Sequence, residues 1–416
     1  MNERQRLTAT TVALDDTAWQ TRTCSGLPFA VPHDGFAWAV GERALVAWGE
    51  FDRIRPGTGD DRFAVAAREL EETFDALRVD NRVGGAGTGP LAFGSFSFDP
   101  DCPDSSIVIP TTVLGCDGER AWMTTIGVPS APRQPVTPKP GRARRTRGAT
   151  SDTDWLRAAA QARSCVRDGI LDKVVLARDA CVESTAELGP HDVVDGLARR
   201  HPECFTYLFD GLVGSSPELL VRRTGATVES IVLGGSAARG RNEVDDAALA
   251  KRLLGSAKER TEHELAVATV RDALADVCES LTIDDKPSLL RLPYVQHLRT
   301  RASGTAAGRS SVDLAGALHP TAAVCGVPTD KALATIRELE GMERGRYGGP
   351  VGWTDASGDG EWAIALRCAH LSGTRARLFA GAGIVADSDP ASELAETELK
   401  LRPLLEALGA STGQPS

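Results

Sequence analysis

Two pairs of glutamates, each pair spaced three residues apart, are the first candidates for chemistry in this 416-residue sequence. Glu393 and Glu396 follow Asp389 and Pro390, which have the residue types of an N-cap and a first helical position. Residues three apart share one face of a helix, and Lys400 lies one turn further along that face. Acids near a helix N-terminus also complement the helix dipole, and Lys400 could simply pair with Glu396. This segment alone therefore leaves a purely structural role open.

The second pair, Glu259 and Glu262, lies near the start of an amphipathic segment that predicts a helix over residues 256–274. Ser256 and Glu259 have the spacing of a capping box, so Glu259 has a structural explanation and Glu262 has a weaker one. Four converging carboxylates would repel one another unless a cation lay among them. Oxygen-only ligands with few protein donors favour Mg2+, so the two pairs together indicate a candidate magnesium site.

Three polar residues occur within or beside apolar strands that do not call for them. Lys173 opens the strand VVLAR, where it could either extend to water or, if buried, serve as a general base. Glu218 follows a Ser-Pro turn and would be a protonated acid in an apolar pocket, or else pair in solvent with Arg222 or Arg223. Arg367 lies in the apolar strand IALRCAH, and a buried guanidinium needs an anionic partner.

Composition and charge exclude several classes of function. A hydrophobic content of 42% is ample for a large core, and a formal charge of −10 argues against a nucleic-acid surface. The one basic run, residues 142–147, lies in a Pro-rich stretch and is predicted to be a solvated loop. No apolar segment is long enough to span a membrane, and the N-terminal residues lack the apolar core of a signal peptide. Nine cysteines without paired spacing indicate a reducing cytoplasm.

The order of predicted elements indicates an α+β architecture built on large antiparallel sheets, because turns between strands are more frequent than crossover helices. Residues 1–150 are predicted to form a mostly β part that ends in a Pro/Arg-rich loop at 129–150. Residues 151–408 carry the polar motifs and form the predicted catalytic part, and residues 409–416 form a predicted flexible tail.

The sequence from about residue 171 to residue 405 resembles the chorismate-utilising enzymes, and the isochorismate synthases in particular. Nine motifs occur in the order of that family: LDKVVLARD, GSSPELLVRR, GGSAARGR, KERTEHELAV, VQHLRT, LHPTAAVCGVP, ERGRYGGPVGW, GEWAIALRCA and AGAGIVADSDPASELAET. The resemblance implies the fold of anthranilate synthase component I. In that fold large antiparallel sheets pack as a sandwich, helices lie outside, and the active site occupies a cleft between the two halves. The first 150 residues match the family less distinctly.

The resemblance also implies catalytic roles. In family members the lysine that matches Lys173 acts as a base on a water molecule that attacks ring carbon 2 of chorismate. The glutamate that matches Glu218 protonates the hydroxyl group that leaves carbon 4. The expected reaction is therefore an allylic exchange of hydroxyl position.

The same resemblance implies a Mg2+ ion that binds the ring carboxylate of chorismate. The matching ligands are Glu262 and Glu396, with Glu259 and Glu393 acting directly or through water. Lys400 is expected near the ring carboxylate and the metal. The ion would thereby neutralise and position the substrate.

The remaining residues that the resemblance implies bind the substrate. Arg367 and Tyr347 are expected to hold the enolpyruvyl carboxylate, together with backbone N–H groups near Gly381 and Gly383. Ala323 matches a pocket position that varies among relatives and influences which product forms.

The identity of these residues also bears on the branch of the family. Relatives that use ammonia to make anthranilate or aminodeoxychorismate typically carry a neutral residue where this chain has Lys173, so no glutaminase subunit is expected. Salicylate synthases share the lysine and both glutamates, but they tend to carry threonine where this chain has Ala323. The sequence therefore favours an isomerase that stops at isochorismate and feeds menaquinone or siderophore biosynthesis. The resemblance also implies a monomer, because these enzymes often work as monomers. Salicylate formation and an inactive chorismate-binding homologue are the alternatives.

Overall fold

The computed structural model describes residues 7–14, 27, 30–128, 131–133 and 141–410. Within these residues the chain forms 23 strands and eight helices. The strands are β1 (Thr8–Ala13), β2 (Phe36–Val40), β3 (Arg43–Trp48), β4 (Asp52–Ile54), β5 (Arg78–Asn81), β6 (Leu91–Ser95), β7 (Ser106–Ile109), β8 (Thr112–Cys116), β9 (Ala121–Ile126), β10 (Ala143–Arg147), β11 (Lys173–Ser184), β12 (Phe205–Phe209), β13 (Leu212–Ser216), β14 (Leu219–Thr224), β15 (Thr227–Ala238), β16 (Ser280–Ile283), β17 (Ser288–Arg291), β18 (Val295–Thr305), β19 (Gly326–Val327), β20 (Pro350–Asp355), β21 (Gly360–Ile364), β22 (Cys368–Ser372) and β23 (Arg375–Ile384). The helices are α1 (Arg62–Asp75), α2 (Asp152–Arg167), α3 (Pro190–Arg200), α4 (Glu243–Gly255), α5 (Ala257–Ala275), α6 (Ser311–Leu318), α7 (Thr329–Leu339) and α8 (Pro390–Ala407).

The strands assemble into two large sheets, which confirms the predicted α+β architecture. The first sheet has the order β10-β11-β23-β22-β13-β12-β2-β3-β8-β9-β1-β5, with β19 added beside β11. The second has the order β16-β18-β15-β14-β21-β20-β6-β7-β4, with β17 added beside β18. In the described ranges, β1 with β5 is the one parallel pair of strands. Both sheets contain strands from the first 130 residues and from the C-terminal half, so the two parts of the sequence share each sheet.

The two sheets pack face to face through aromatic side chains. Phe36 of β2 lies with its ring centroid 5.9 Å from that of Phe93 of β6, and Trp353 of β20 belongs to the same buried cluster. The opposite face of β2 and β12 is covered by α3, whose Val194 and Leu197 are fully buried. Strands covered on both faces need apolar side chains at every position, which explains continuous runs such as FAWAV and FTYLF.

The predicted loop at residues 129–150 is wrong in its second part. Residues Ala143–Arg147 form β10, which pairs antiparallel with β11. Arg145, in the middle of the basic run, is only 4% exposed because its guanidinium is neutralised by Glu398. The local sequence predicts a solvated run because the carboxylate that neutralises Arg145 is 253 residues away in sequence. Residues 129–130 and 134–140 lie outside the described residues.

The predicted tail at residues 409–416 begins too early. Ala410 is buried and forms a parallel β-bridge with Ala143, so the chain stays attached to the first sheet to this point. Residues 411–416 lie outside the described residues, as do residues 1–6 of the N-terminal stretch for which the sequence predicts no signal peptide. Among the described helices, none has the length and apolar content needed to cross a bilayer.

A buried ion pair joins the end of α7 to the strand that opens the catalytic part. Glu340 accepts a hydrogen bond from the backbone N–H of Ala177 at 2.7 Å and another from the Arg344 Nε at 2.9 Å. Arg344 also donates to the carbonyl groups of Val324 and Val175, both at 2.8 Å. Because every partner is buried, removing one charge would leave the other uncompensated in the core.

We therefore predict that Glu340→Gln lowers the free energy of unfolding by about 3 kcal/mol. The measurement is urea denaturation followed by circular dichroism. Glu71→Gln, at an exposed position of α1, is the control and should change the free energy by less than about 0.5 kcal/mol. Coincident denaturation curves for Glu340→Gln and the unmodified protein would contradict the prediction.

Candidate active site

A pocket between the two sheets contains most of the polar residues that the sequence singled out. Its walls come from β11 and β23 of the first sheet, from β15 and β18 of the second, and from α5, α8 and the segments between strands. Eight of the twelve predicted site residues line it: Glu218, Glu262, Ala323, Tyr347, Arg367, Gly381, Gly383 and Lys400. Lys173 contacts Glu262, which lines the pocket. Glu259, Glu393 and Glu396 do not line the pocket themselves and contact Lys258 or Lys400.

Lys173 is the first residue of β11 and is only 1% exposed, so the alternative that it extends to water is wrong. Its Nζ lies 3.2 Å from Oε1 of Glu262, near the start of α5. Gly383 on the neighbouring strand makes this contact possible, because a Cβ there would lie 2.1 Å from Glu262 Oε1 and 3.1 Å from Lys173 Cε. The ammonium and carboxylate groups therefore occupy the space that a side chain at residue 383 would fill.

Glu218 lies between β13 and β14 and is buried. Burial raises the pKa of its carboxyl group to about 7, although a hydrogen bond from the Leu233 N–H and the charge of Lys173 act in the opposite direction. Arg222 and Arg223 are paired with other carboxylates, so the alternative of a solvated pair with Glu218 is wrong. At neutral pH a substantial fraction of Glu218 therefore carries a proton that it can donate.

The structure corrects the sequence prediction that Arg367 lies within a strand. Arg367 lies between β21 of the second sheet and β22 of the first, and its φ of 49° is in the left-handed region. The backbone turns here because the chain passes from one sheet to the other. Its guanidinium is buried, and across the described residues no carboxylate lies within salt-bridge distance of it. Burial lowers the pKa of Arg367, and its NH2 group contacts His297 Nε2 at 3.2 Å. This cation is therefore available for an anion in the pocket.

Tyr347 forms the wall beside the glycines of β23. Its ring stacks on Phe379 with a centroid separation of 5.2 Å, and a Cβ on Gly381 would lie 3.0 Å from its hydroxyl oxygen. Burial raises the pKa of Tyr347, so the phenol stays protonated and can donate a hydrogen bond. Tyr347 and Gly381 thus lie close enough to contact one ligand.

The four glutamates of the two pairs are each in contact with a lysine. In addition to the Lys173 contact with Glu262, Lys258 Nζ lies 2.6 Å from Glu393 and 3.2 Å from Glu259. Ser256 caps α5 as predicted, but the Glu259 carboxylate accepts from the Ser236 N–H at 2.9 Å, so the capping box is incomplete.

The contact between Lys400 and Glu396 also involves the floor of the pocket. Lys400 Nζ lies 2.5 Å from Glu396 and 2.8 Å from the carbonyl oxygen of Gly381. Burial acts to raise the pKa of Glu396, but the charge and hydrogen bond of Lys400, together with weaker neighbouring charges, outweigh burial, and the pKa is lowered. Asp389 caps this helix and Pro390 is its first residue, as the sequence predicted.

Each acid is therefore neutralised by a lysine, and the four carboxylates do not surround a common centre. Among the residues described, no three His, Cys, Asp or Glu side chains are arranged to hold a metal ion. The donor chemistry nevertheless fits a hard divalent cation, because all four candidates offer carboxylate oxygens. Their charges also interact: burial and the neighbouring charge of Glu396 raise the pKa of Glu393 to about 7, and burial and Glu262 raise the pKa of Glu259. A divalent cation would relieve this repulsion.

Sequence reasoning missed three polar residues of the site. His297 and Ser236 line the pocket, and the His297 Nδ1 lies 3.0 Å from the Ser236 hydroxyl oxygen. Burial lowers the pKa of His297 to about 3, so its ring is neutral. Lys258 was overlooked beside Glu259. The available signals were the polar positions within the motifs VQHLRT, GGSAARGR and KERTEHELAV.

The family model described as chorismate binding enzyme matches residues 127–409. The chain belongs to this family. It is 36% identical over 413 residues to the salicylate biosynthesis isochorismate synthase of Pseudomonas aeruginosa, covering 90% of this chain and 85% of that protein. It is 33% identical over 372 residues to the isochorismate synthase MenF of Bacillus subtilis, covering 82% and 79%.

Solved structures of relatives confirm the predicted fold. The structure of MenF, the menaquinone-specific isochorismate synthase from Escherichia coli, has a TM-score of 0.75 at 25% identity, covering 97% of this chain and 94% of that chain. Anthranilate synthase component I from Streptococcus pneumoniae has a TM-score of 0.69 at 22% identity, covering 87% and 92%. The second likeness concerns the fold alone.

The environment of Glu218 generates a prediction for pH dependence. Because burial outweighs the neighbouring positive charges, we expect its carboxyl group to lose its proton near pH 7 rather than near its ordinary pKa of 4.5. The measurement is infrared difference spectroscopy of the protein between pH 4 and pH 9. Subtracting the spectra of Glu218→Gln isolates this group from Glu393, whose pKa is also raised to about 7. A carboxyl absorption assigned to Glu218 that disappears with a midpoint near pH 4.5 would contradict the prediction.

Proposed function

We propose that this protein is an isochorismate synthase that converts chorismate to isochorismate. The observation that carries the proposal is a single pocket lined by the buried Glu218 and by Glu262, whose carboxylate lies 3.2 Å from the Nζ of the buried Lys173. Lys173 can accept a proton and Glu218 can donate one within a single pocket. The two curated relatives described above are themselves isochorismate synthases.

The reaction exchanges the position of one hydroxyl group and balances without an added reagent other than water. In its neutral amine form, Lys173 accepts a proton from a water molecule whose oxygen forms a bond to ring carbon 2. The two ring double bonds shift together, which carries an electron pair toward carbon 4, and the bond between carbon 4 and its hydroxyl oxygen breaks. Glu218 donates its proton to that oxygen, which leaves as water. The proton gained by Lys173 and the proton lost by Glu218 cancel, so the net change is an isomerisation.

The guanidinium group of Arg367 provides a positive charge in the pocket that can bind a carboxylate of the substrate. We assign the enolpyruvyl carboxylate to Arg367 and Tyr347, because this guanidinium has no carboxylate partner in the described chain and the phenol remains protonated. Gly381 and Gly383 line the pocket, and we assign backbone N–H groups near them to the same carboxylate. Lys400 is suited to the ring carboxylate, since it lies at the floor of the pocket beside Gly381.

The acids on α5 and α8 would hold Mg2+, with Glu262 and Glu396 as ligands and Glu259 and Glu393 acting directly or through water. When bound, the ion supplies positive charge that neutralises and positions the ring carboxylate. Because Glu262 contacts Lys173, the same carboxylate joins the candidate metal site to the candidate base.

The proposal extends to the product and to the setting in which the enzyme works. Ala323 contributes a small side chain to the pocket wall, and we propose that the reaction stops at isochorismate for menaquinone or siderophore biosynthesis. Eight described cysteines are free thiols, consistent with a reducing compartment, and we propose a cytoplasmic monomer without a glutaminase subunit.

The test is incubation of the purified protein with chorismate and Mg2+, without ammonia or glutamine, followed by chromatography of the products. Isochorismate as the product would support the proposal. Salicylate and pyruvate in equal amounts would replace it with a salicylate synthase, and conversion only after ammonia is added would replace it with an amine-using enzyme. No conversion under any of these conditions would favour an inactive homologue.

Removing the candidate base should abolish turnover without preventing binding. For Lys173→Ala we expect the catalytic rate constant to fall at least about 100-fold, because proton transfer by a positioned base contributes about that much. Chorismate affinity, measured by calorimetry, should stay within about threefold, because Arg367 and Tyr347 are untouched. Lys331→Ala, an exposed lysine of α7, is the control and should behave like the unmodified protein. Unchanged turnover by Lys173→Ala would reject the assignment.

Removing one charge from the candidate metal site should weaken the response to Mg2+. For Glu396→Gln we expect turnover to fall at least about tenfold and the half-saturating Mg2+ concentration to rise, because one anionic ligand is lost. Glu264→Gln, an exposed position on α5, is the matched control. Activity of the unmodified protein that persists in excess chelator would exclude the metal site.

A further inference from the structure

A cluster of charges that includes two buried arginines lies on the outer side of the first sheet, where the proposed reaction does not use it. Arg145 of β10 donates through both terminal nitrogens to Glu398 of α8, at 2.7 and 2.8 Å. Arg178 of β11 donates to the same carboxylate at 2.8 Å and also pairs with Asp152 at the start of α2. Both guanidinium side chains are at most 5% exposed. The basic run that looked like a loop thus supplies one member of this cluster.

Each of the two elements that meet in the cluster also carries a residue of the candidate active site. On β11, Lys173 and Arg178 are five residues apart, so their side chains leave opposite faces of the strand. On α8, Glu396 and Glu398 are two residues apart, which separates them by about 200° around the helix axis. The cluster and the active site therefore lie on opposite sides of the same strand and the same helix.

We propose that Glu398 is a positioning residue that aims Glu396 and Lys400 into the active site. Its hydrogen bonds to Arg145 and Arg178 fix the rotation of α8 about its axis relative to β11. A rotation of about 20° would move a side-chain end about 5 Å from the axis by about 2 Å. Such a shift would separate Lys400 from the Gly381 carbonyl oxygen, now 2.8 Å away, and would displace Glu396.

The apolar contacts of α8 do not supply this precision. Leu401, Leu404 and Leu405 pack against the outer face of the first sheet, but such burial has no preferred direction and tolerates small rotations. A carboxylate held by two guanidinium groups has a narrow range of geometry. The leucines therefore attach the helix, while Glu398 sets its orientation.

The inference rests on the proposed function, because it takes Glu396 as a metal ligand. Its test is a calorimetric titration of Mg2+ into Glu398→Gln, together with the KM and catalytic rate constant for chorismate. We expect Mg2+ affinity to fall about tenfold, the size of effect seen when groups that orient metal ligands are removed. The KM for chorismate should rise, because Lys400 moves with the helix. The rate constant at saturating chorismate and Mg2+ should fall less than the affinities, since Lys173 and Glu218 keep their places.

Asp179→Asn is the matched control. Asp179, on β11, is likewise a carboxylate bonded to an arginine, Arg377, although it is more deeply buried; among the described residues its hydrogen bonds and ion pairs involve no residue of α8. The control should melt at a lower temperature, as Glu398→Gln does, yet bind Mg2+ within about threefold of the unmodified protein. Equal losses of Mg2+ affinity in the two variants would overturn the positioning role, and so would an unchanged affinity in Glu398→Gln.

If circular dichroism shows that Glu398→Gln does not fold, Arg145→Lys replaces it. This variant keeps the charge but loses the two-point contact, and we expect a several-fold loss of Mg2+ affinity. An unchanged affinity would overturn the inference. If the unmodified protein binds no Mg2+, the proposed metal site fails together with this inference, whereas normal binding by both proteins rejects the inference alone.

Discussion

The site depends on the burial of one lysine ammonium group between two sheets. Lys173 can occupy that position only because Glu262 compensates its charge and because Gly383 leaves room for both groups. A buried charge without a partner would cost several kcal/mol, so the placement of α5 and the glycine of β23 are conditions for the position of the lysine. The antiparallel pairing of β11 with β23 brings the lysine and the glycine close together, since Gly383 lies opposite Val175, two residues from Lys173.

Charge compensation organises the rest of the pocket in the same way. Lysines contact all four acids, while Arg367 faces the pocket beside a neutral His297 and has no carboxylate partner in the described chain. The pocket therefore presents positive charge toward a ligand and keeps its negative charge on the side of α5 and α8. A substrate with two carboxylates suits this arrangement, because one can meet the guanidinium and the other can meet the side that holds the acids and their cations.

Local signals in the sequence were sufficient for part of this description. Asp389 and Pro390 mark the start of α8 by their own residue types, and the spacing of Glu393 and Glu396 places both on one side of it. Eight of the residues that the family motifs predicted line one pocket. The sequence could not show where Arg367 turns, because that turn reflects a passage between sheets that only the assembled topology defines.

For the same reason, the sequence did not show that Ala143–Arg147 of the basic run form a strand. The partner of Arg145 is 253 residues away, and nothing near residue 145 indicates that a carboxylate will cover it. Lys258 and His297 were missed for a related reason: their partners come from other elements, so their burial and charge state follow from packing rather than from neighbours in sequence.

The roles proposed for Lys173 and Glu218 require that water attacks ring carbon 2 while the hydroxyl group of carbon 4 leaves. The decisive experiment is chorismate turnover in water enriched in 18O, with the product analysed by mass spectrometry. We expect one 18O atom in each isochorismate molecule, located in the hydroxyl group on carbon 2. Isochorismate that retains the original oxygen would show that the hydroxyl group moves without exchange with water, and it would contradict the roles given to Lys173 and Glu218.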